Sequence, residues 1–241
     1  MLELAGISKT FGGVKAVRDV SLSVAQGEVR GLIGPNGAGK TTLVNLISGI
    51  LGHSAGTLSL NGQRLDGLKA NRRASVGISR TFQNLRVFPN LTVGQNIDVG
   101  RYTAIQAGRD TTDLVDAAIG EFDLNDKLND TAQSMSYGHL RRLEIVRALA
   151  TGPKVLMLDE PAAGMNEHET EALGHSLNWV RKQSDTAIMV IDHDLKFIMA
   201  LCDQITVMNM GAVIAEGAPD EISKNPQVIE AYLGEESEDV A

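Results

Sequence analysis

Aromatic side chains make up only 4% of the 241 residues, and there is a single cysteine. So few rings argue against a protein that grips single-stranded nucleic acid by stacking bases on aromatic platforms. Positive charge is also short: 22 lysines and arginines face 30 aspartates and glutamates, a formal net charge of −8. Proteins that displace counterions from nucleic-acid phosphates need the opposite balance, so no nucleic-acid partner is expected. The lone Cys202, in "MALCDQITV", rules out an intramolecular disulfide and any metal site built from several cysteines. Its apolar neighbours suit a small buried residue better than a reactive thiol. Long apolar runs are missing as well. The longest useful one, "AIMVI" at 187–191, falls far short of the roughly 20 residues that span a bilayer. "MLELAGISKTFGG" has neither the basic start nor the apolar stretch of a secretion signal. A cytoplasmic protein is expected, one that reaches a membrane only through a partner.

What is present reads as one substantial domain, with 43% hydrophobic residues. Val20, Leu22 and Val24 alternate with Ser21, Ser23 and Ala25, the pattern of a half-buried strand. In "GTLSLNGQRL" the pair Asn61-Gly62 predicts a two-residue hairpin turn. "EVRGLIGPNGAGKTTLVNLISGI" runs from a short apolar strand through a glycine-rich loop into a helix with Leu43, Leu46, Ile47 and Ile50 on one face. From about residue 86 to 151 the texture becomes helical. "TTDLVDAAIGEFDL" and "GHLRRLEIVRALA" carry the period, with Leu140, Leu143, Val146 and Leu149 or Ala150 aligned. Continuously apolar strands return at "KVLMLDEP" and "TAIMVIDHD", as parallel strands covered on both faces should. "NPQVIEAYLG" predicts a last helix capped by Asn225 with Pro226 at its first position, and the acidic end beyond it is expected to fray. The plan is an α/β core interrupted by a helical lobe.

"GPNGAGKT" satisfies G-x-x-x-x-G-K-[ST] between a strand and an amphipathic helix. Glycines let successive backbone N–H groups wrap an anion, and the helix N-terminus adds partial positive charge. Lys40 brings a point charge for β- and γ-phosphates, and Thr41 brings a hydroxyl for Mg²⁺, with Thr42 behind it. A dinucleotide fingerprint does not fit, because Thr42 stands where a third glycine belongs. A strand that ends in Asp159-Glu160 is, alone, more often a solvated strand end. Beside a phosphate loop it becomes a Mg²⁺ ligand followed by a base that polarises the attacking water. His193 ends the other apolar strand, in the layer where a γ-phosphate would lie. Zinc is not indicated, since "HETEA" lacks the second histidine of H-E-x-x-H. "SMSYGHLRR" stays open at this level: Ser136 and Gly138 before an apolar helix form a plain helix cap or half of an anion site.

Taken together the chain resembles the ATP-binding subunits of ABC transporters, along essentially its whole length. The resemblance makes Phe11 the aromatic that stacks on adenine and Gly34, Pro35, Asn36, Gly37, Ala38, Gly39, Lys40, Thr41 and Thr42 the phosphate-binding loop. It makes Gln83 both a nucleotide contact and a metal ligand, and Asp159-Glu160 the Walker B pair, with Thr41, Gln83 and Asp159 on Mg²⁺. Residues 162–166 ("AAGMN") match the D-loop and His193 the switch histidine. "MSYGHL" matches the family signature, so Ser136, Tyr137, Gly138 and His139 would close over ATP held by a second subunit. The catalytic set is then Glu160, His193 and Lys40. The implied fold is a P-loop ATPase core with an N-terminal antiparallel β subdomain, from residues 1–84 and 152–241, and an inserted α-helical subdomain at 85–151.

"RTFQNLRVFPNLTV", "LDEPAAGMN" and "NPQVIEAYLG" look most like the branched-chain amino-acid importers, with urea or amide importers and lipopolysaccharide exporters close. The partners implied are a second ABC ATPase subunit (the same chain or a related one), integral-membrane permease subunits and, for an importer, an external substrate-binding protein. The place implied is the cytoplasmic face of the cell membrane. Three residues depart from the common family pattern: His139 for glutamine, Tyr137 for glycine and Asn166 for aspartate. Leu85, Val87, Phe88 and Leu91 read equally as core of the helical lobe or as a seat for the permease. The stretch "RLDGLKANRRASVGISRTFQNLR", six cations against one acid, reads as a solvated face, or more sharply as a contact with lipid headgroups.

Overall fold

A computed structural model describes residues 1–236. The rest of the acidic end, 237–241, lies outside the described residues. Strands β1 (Leu2–Phe11) and β2 (Val14–Val24) pair antiparallel around a Gly12-Gly13 turn. Val20, Leu22 and Val24 are buried, as their alternation predicts. β3 (Val29–Ile33) leads through the glycine loop into α1 (Lys40–Ser48). β4 (Ala55–Leu60) and β5 (Gln63–Arg64) are joined by Asn61-Gly62, both left-handed with φ of 50° and 78°, the turn that matches strand twist. These build a four-stranded antiparallel sheet in the order β2-β1-β4-β5.

Next come α2 (Ala70–Val76), β6 (Ile78–Arg80) and three helices, α3 (Val93–Gln106), α4 (Thr112–Glu121) and α5 (Tyr137–Leu149). The remainder alternates: β7 (Val155–Asp159), α6 (Glu167–Gln183), β8 (Ala187–Ile191), α7 (Leu195–Leu201) and β9 (Gln204–Asn209). β10 (Ala212–Gly217), the short α8 (Pro219–Ile222) and α9 (Pro226–Glu236) complete it. Asn225 caps α9 by accepting the Gln227 N–H at 2.9 Å. The second sheet has the order β10-β9-β3-β8-β7-β6 and is parallel except for the edge strand β10.

Both faces of that sheet are covered, which is why its strands read as unbroken apolar runs. Leu156, Leu158, Ile188 and Val190 point into a cluster with Leu143, Val146 and Leu149 of α5. Their neighbours Val155, Met157, Met189 and Ile191 point the other way, onto Leu43, Leu46 and Ile47 of α1 and the antiparallel sheet.

Two expectations need correcting. Ile50 does not join the α1 stripe: Gly49 turns left-handed at φ 78°, ends the helix, and leaves Ile50 exposed. The basic stretch is not one solvated face. Arg73 is only 1% exposed. Its guanidinium donates to the carbonyls of Leu46 and Ile47, in the last turn of α1, and of Leu68, just before α2. Arg80 is also drawn inside, for a reason that belongs to the site.

Candidate active site

Residues 34–41 follow β3, and two neighbours dictate where glycine must stand. At Gly39 the backbone is left-handed at φ 99°, and a Cβ would sit 2.4 Å from the Ala16 carbonyl oxygen of β2. At Gly34 it would sit 2.0 Å from the Met208 carbonyl of β9. β2 and the turn between β9 and β10 stitch the loop in place: the Gly211 N–H donates to Ala38 O at 2.9 Å, and the Arg18 N–H donates to Gly211 O at 2.7 Å. Pro35 and Ala38 are buried beneath, while Asn36 and Gly37 are exposed at the crest. Lys40 opens α1, with Thr41 and Thr42 behind it, and its ammonium donates to the carbonyl oxygens of Pro35, at 2.9 Å, and Gly34. A loop whose lysine is folded onto its own carbonyls is preshaped to give that charge to a phosphate. Lys40→Ala is therefore expected to weaken ATP binding by about 10- to 100-fold, the worth of a charge-assisted hydrogen bond. Calorimetric titration with ATP checks this, and unchanged affinity would remove Lys40 from the site.

The other groups gather because β6, β7, β8 and β3 are parallel neighbours and end on one edge, where open α/β sheets hold their ligands. Glu160 follows β7 directly and is held in the left-handed region at φ 48°, uncommon for a side chain with a Cβ. Its N–H donates to Ile191 O of β8 at 2.7 Å. Gln83, three residues past β6, donates from Nε2 to the Glu160 carboxylate at 2.8 Å. Arg80 donates to Asp159 Oδ2 at 2.6 Å and reaches Asn45 of α1, so a residue of the basic stretch joins Asp159 to the helix that follows the glycine loop. His193 follows β8 with its side chain 76% exposed, Nδ1 lying 3.6 Å from Asp192. Asp192 is buried, and its two oxygens accept the N–H groups of Asp194, at 3.0 Å, and Ala162, at 3.3 Å. Phe11 ends β1 just before the Gly12-Gly13 turn, 43% exposed, with the Lys9 ammonium 5.0 Å from its ring centre.

Residues 136–139 stand elsewhere, at the start of α5. Ser136 caps α5, so the cap reading is correct: its Oγ accepts the His139 N–H at 3.4 Å and pairs with His139 Nδ1 at 2.8 Å. The Tyr137 hydroxyl accepts from Arg141 at 3.1 Å, and its ring lies over Gly164. Glu169 closes on Gly138. Asn166 caps α6 in a reciprocal box with Glu169, two bonds of 3.0 Å, a task in which asparagine matches aspartate. The polar contacts of Ser136 are thus within its own helix and do not extend to its own phosphate loop.

Four residues that the sequence reading passed over prove central: Arg80, Arg141, Glu144 and Asp192. Arg141 is fully buried and donates to the carbonyls of Phe82 (2.7 Å) and Gln83 (2.9 Å) and to Glu144 (3.0 Å). Burial pushes the Glu144 carboxyl above the ordinary carboxylate range, against the pull of the Arg86 N–H and the Arg141 and Arg147 guanidiniums. The available signal was charge in "LRRLEIV" on the helix face that also carries Tyr137. Cys202 is buried, and burial pushes its thiol up to about 12, consistent with an inert side chain.

A glycine loop with lysine before a helix, and a carboxylate pair ending a parallel strand two places along, define a P-loop nucleoside triphosphatase. A family model described as ABC transporter matches residues 17–163. A second, described as branched-chain amino acid ATP-binding cassette transporter, matches residues 212–238. LivG of Salmonella typhimurium, a high-affinity branched-chain amino acid transport ATP-binding protein, is 40% identical, with 98% of each chain covered. BraF of Pseudomonas aeruginosa, described in the same words, is 39% identical over the same share. Among solved structures, MJ1267, an ATP-binding cassette of an ABC transporter in its ADP conformation, matches with a TM-score of 0.86. It is 28% identical, with 97% of this chain and 98% of that one covered. This chain belongs to the ABC transporter ATP-binding family, and it is an ATPase subunit of such a transporter. No described helix is long and apolar enough to cross a membrane.

Proposed function

We propose that this chain powers the import of branched-chain amino acids, hydrolysing ATP between two cassettes on the cytoplasmic face of the cell membrane. The geometric observation that supports hydrolysis is the Glu160 carboxylate, held by Gln83 and a left-handed backbone on the edge that carries the phosphate loop. Water attacks the γ-phosphorus, Glu160 takes its proton, and the bond to the β–γ bridging oxygen breaks to leave ADP and phosphate. Lys40 and the loop N–H groups hold the phosphates, His193 bonds a γ-oxygen, and Phe11 stacks on adenine. The Thr41 hydroxyl, the Asp159 carboxylate and the Gln83 amide oxygen are a hard-oxygen donor set that suits Mg²⁺. When bound there, the ion would neutralise charge on the β- and γ-phosphates. Ser136, Tyr137, Gly138 and His139 act on the ATP of the second subunit, where a helix N-terminus with a hydroxyl favours anionic oxygen.

In this reading residues 85–151 move as a lobe against the core of 1–84 and 152–241, and Gln83 relays nucleotide state to it. A groove of about 380 Å³ between α2, α3 and α5 is the seat for permease, lined in part by Phe82, Arg86, Phe88, Val99 and Arg147. Of the four residues read both ways, Val87 packs on the core while Phe88 is exposed in this groove. The cargo assignment rests on whole-length likeness to LivG and BraF and on the match at 212–238.

Its test is ATP turnover of the chain assembled with its permease and external binding protein in liposomes. Leucine, isoleucine or valine should raise turnover several-fold. A complex that hydrolyses ATP with no response to them would transfer the assignment to urea, amides or export.

A further inference from the structure

Arg80 closes β6 where three elements meet. Its guanidinium donates through Nη2 to Asp159 Oδ2 at 2.6 Å and through Nη1 to Asn45 Oδ1 at 2.5 Å. Asp159 ends β7, and its own N–H donates to the buried Thr81 hydroxyl at 3.3 Å. Asn45 lies one turn after Thr41 on α1, so both stand on the same side of that helix. Gln83 follows Arg80 by three residues. One planar fork therefore spans the elements that carry Thr41, Asp159 and Gln83. As a stabilising device it is a poor one. The Arg80 and Asp159 side chains are only 7% and 10% exposed, and a charge pair taken so far out of water often gains little over apolar replacements. Among the described residues the buried Nε of Arg80 finds no acceptor, and the guanidinium lies over the Phe82 ring, 4.8 Å from its centre. What the fork does supply is a fixed spacing, which arginine's rigid geometry gives and the point charge of a lysine does not.

We infer that Arg80 is a positioning residue that holds Asp159 and α1 at one spacing, and so makes the donor set of Thr41, Asp159 and Gln83 selective for Mg²⁺ over Ca²⁺. The inference rests on the reading of those three residues as metal donors given above. Mg²⁺ is small and demands close to octahedral geometry, whereas Ca²⁺ tolerates irregular sets and takes both oxygens of one carboxylate. With Oδ2 engaged by Arg80, Asp159 presents the single oxygen that suits the smaller ion. A donor set that loosens loses Mg²⁺ first, and a carboxylate released from Arg80 gains an oxygen for Ca²⁺. The charge of residue 80 acts on the two divalent ions alike, so the ratio of their affinities reports geometry.

The test is calorimetric titration of the full chain with the non-hydrolysable β,γ-imido analogue of ATP, in EDTA, in Mg²⁺ and in Ca²⁺. The native chain should gain affinity from both ions, and more from Mg²⁺. Arg80→Lys keeps the charge and loses the fork. Its affinity in EDTA should match the native value, because the glycine loop and Lys40 are untouched. Its gain from Mg²⁺ should fall by about tenfold, as when the hydrogen-bond partner of a metal-holding carboxylate is removed. Its gain from Ca²⁺ should stay or rise, so the Mg²⁺-to-Ca²⁺ ratio drops. Asn45→Ala cuts the tie to α1 and leaves the Arg80–Asp159 pair in place, so it carries the test if Arg80→Lys does not fold. It should lower the same ratio several-fold. A folded variant at either position that keeps the native ratio, or loses both gains equally, overturns the role assigned to Arg80. If neither ion raises the affinity of the native chain, the reading of Thr41, Asp159 and Gln83 as metal donors falls, and the inference with it.

Discussion

Glu160→Gln is expected to cut ATP turnover by about 100- to 10,000-fold, the usual range for a lost general base, while ATP still binds. The substitution removes a proton acceptor and little else. Backbone placement of residue 160 depends on its N–H bond to Ile191 and on the left-handed turn, neither of which involves the carboxylate. The new amide still meets Gln83 through hydrogen bonding, so the loop keeps its anchor. Affinity should hold, because in the proposed reading Lys40 and the loop N–H groups, between β3 and α1, hold the phosphates. The expected signature is a closed, ATP-loaded pair of cassettes that persists for minutes, read by single-turnover kinetics with radiolabelled ATP. Turnover within a few-fold of the native protein would show that another group accepts the proton.

Arg141→Ala is expected to lower stability by about 3–5 kcal/mol, the cost of leaving one partner of a buried ion pair alone. Glu144 is only 2% exposed and would lose its guanidinium, while the carbonyls of Phe82 and Gln83 would lose their donors in the same step. Urea unfolding of the isolated chain measures the loss. The pair Arg141→Met with Glu144→Leu separates two roles. Removing both charges should recover much of the stability, since buried ion pairs often gain little over apolar replacements of similar volume. It should not restore ligand-stimulated turnover, because the link from α5 to the Gln83 backbone is still cut. Full recovery of both would reduce Arg141 to a packing residue.

Much of this was legible in the chain because the physics is local. A glycine loop with lysine and threonine must lie between a strand and a helix to wrap a phosphate, and "GLIGPNGAGKTTLV" carries all three parts in one run. Unbroken apolar stretches at 155–158 and 187–191 announced strands covered on both faces, and their polar ends marked the edge where Glu160 and His193 stand. Asn61-Gly62 determined its own turn, since few other pairs take two left-handed conformations in succession.

What only the tertiary structure decided is the pairing of groups far apart in sequence. Which strands become neighbours fixes whether Gln83 meets Glu160, whether Arg80 turns inward to Asp159, and whether Arg141 reaches the carbonyls of Phe82 and Gln83. Local pattern read Arg80 as part of a solvated face and passed over Arg141, because charge is ordinarily expelled from apolar surroundings. It could not register the carbonyls and carboxylates that folding carries to them, which alone make burial of a guanidinium tolerable. The same holds for Ser136 and His139. Their spacing marks a helix cap, but only the fold brings Asp123 to 3.7 Å from the far side of the ring.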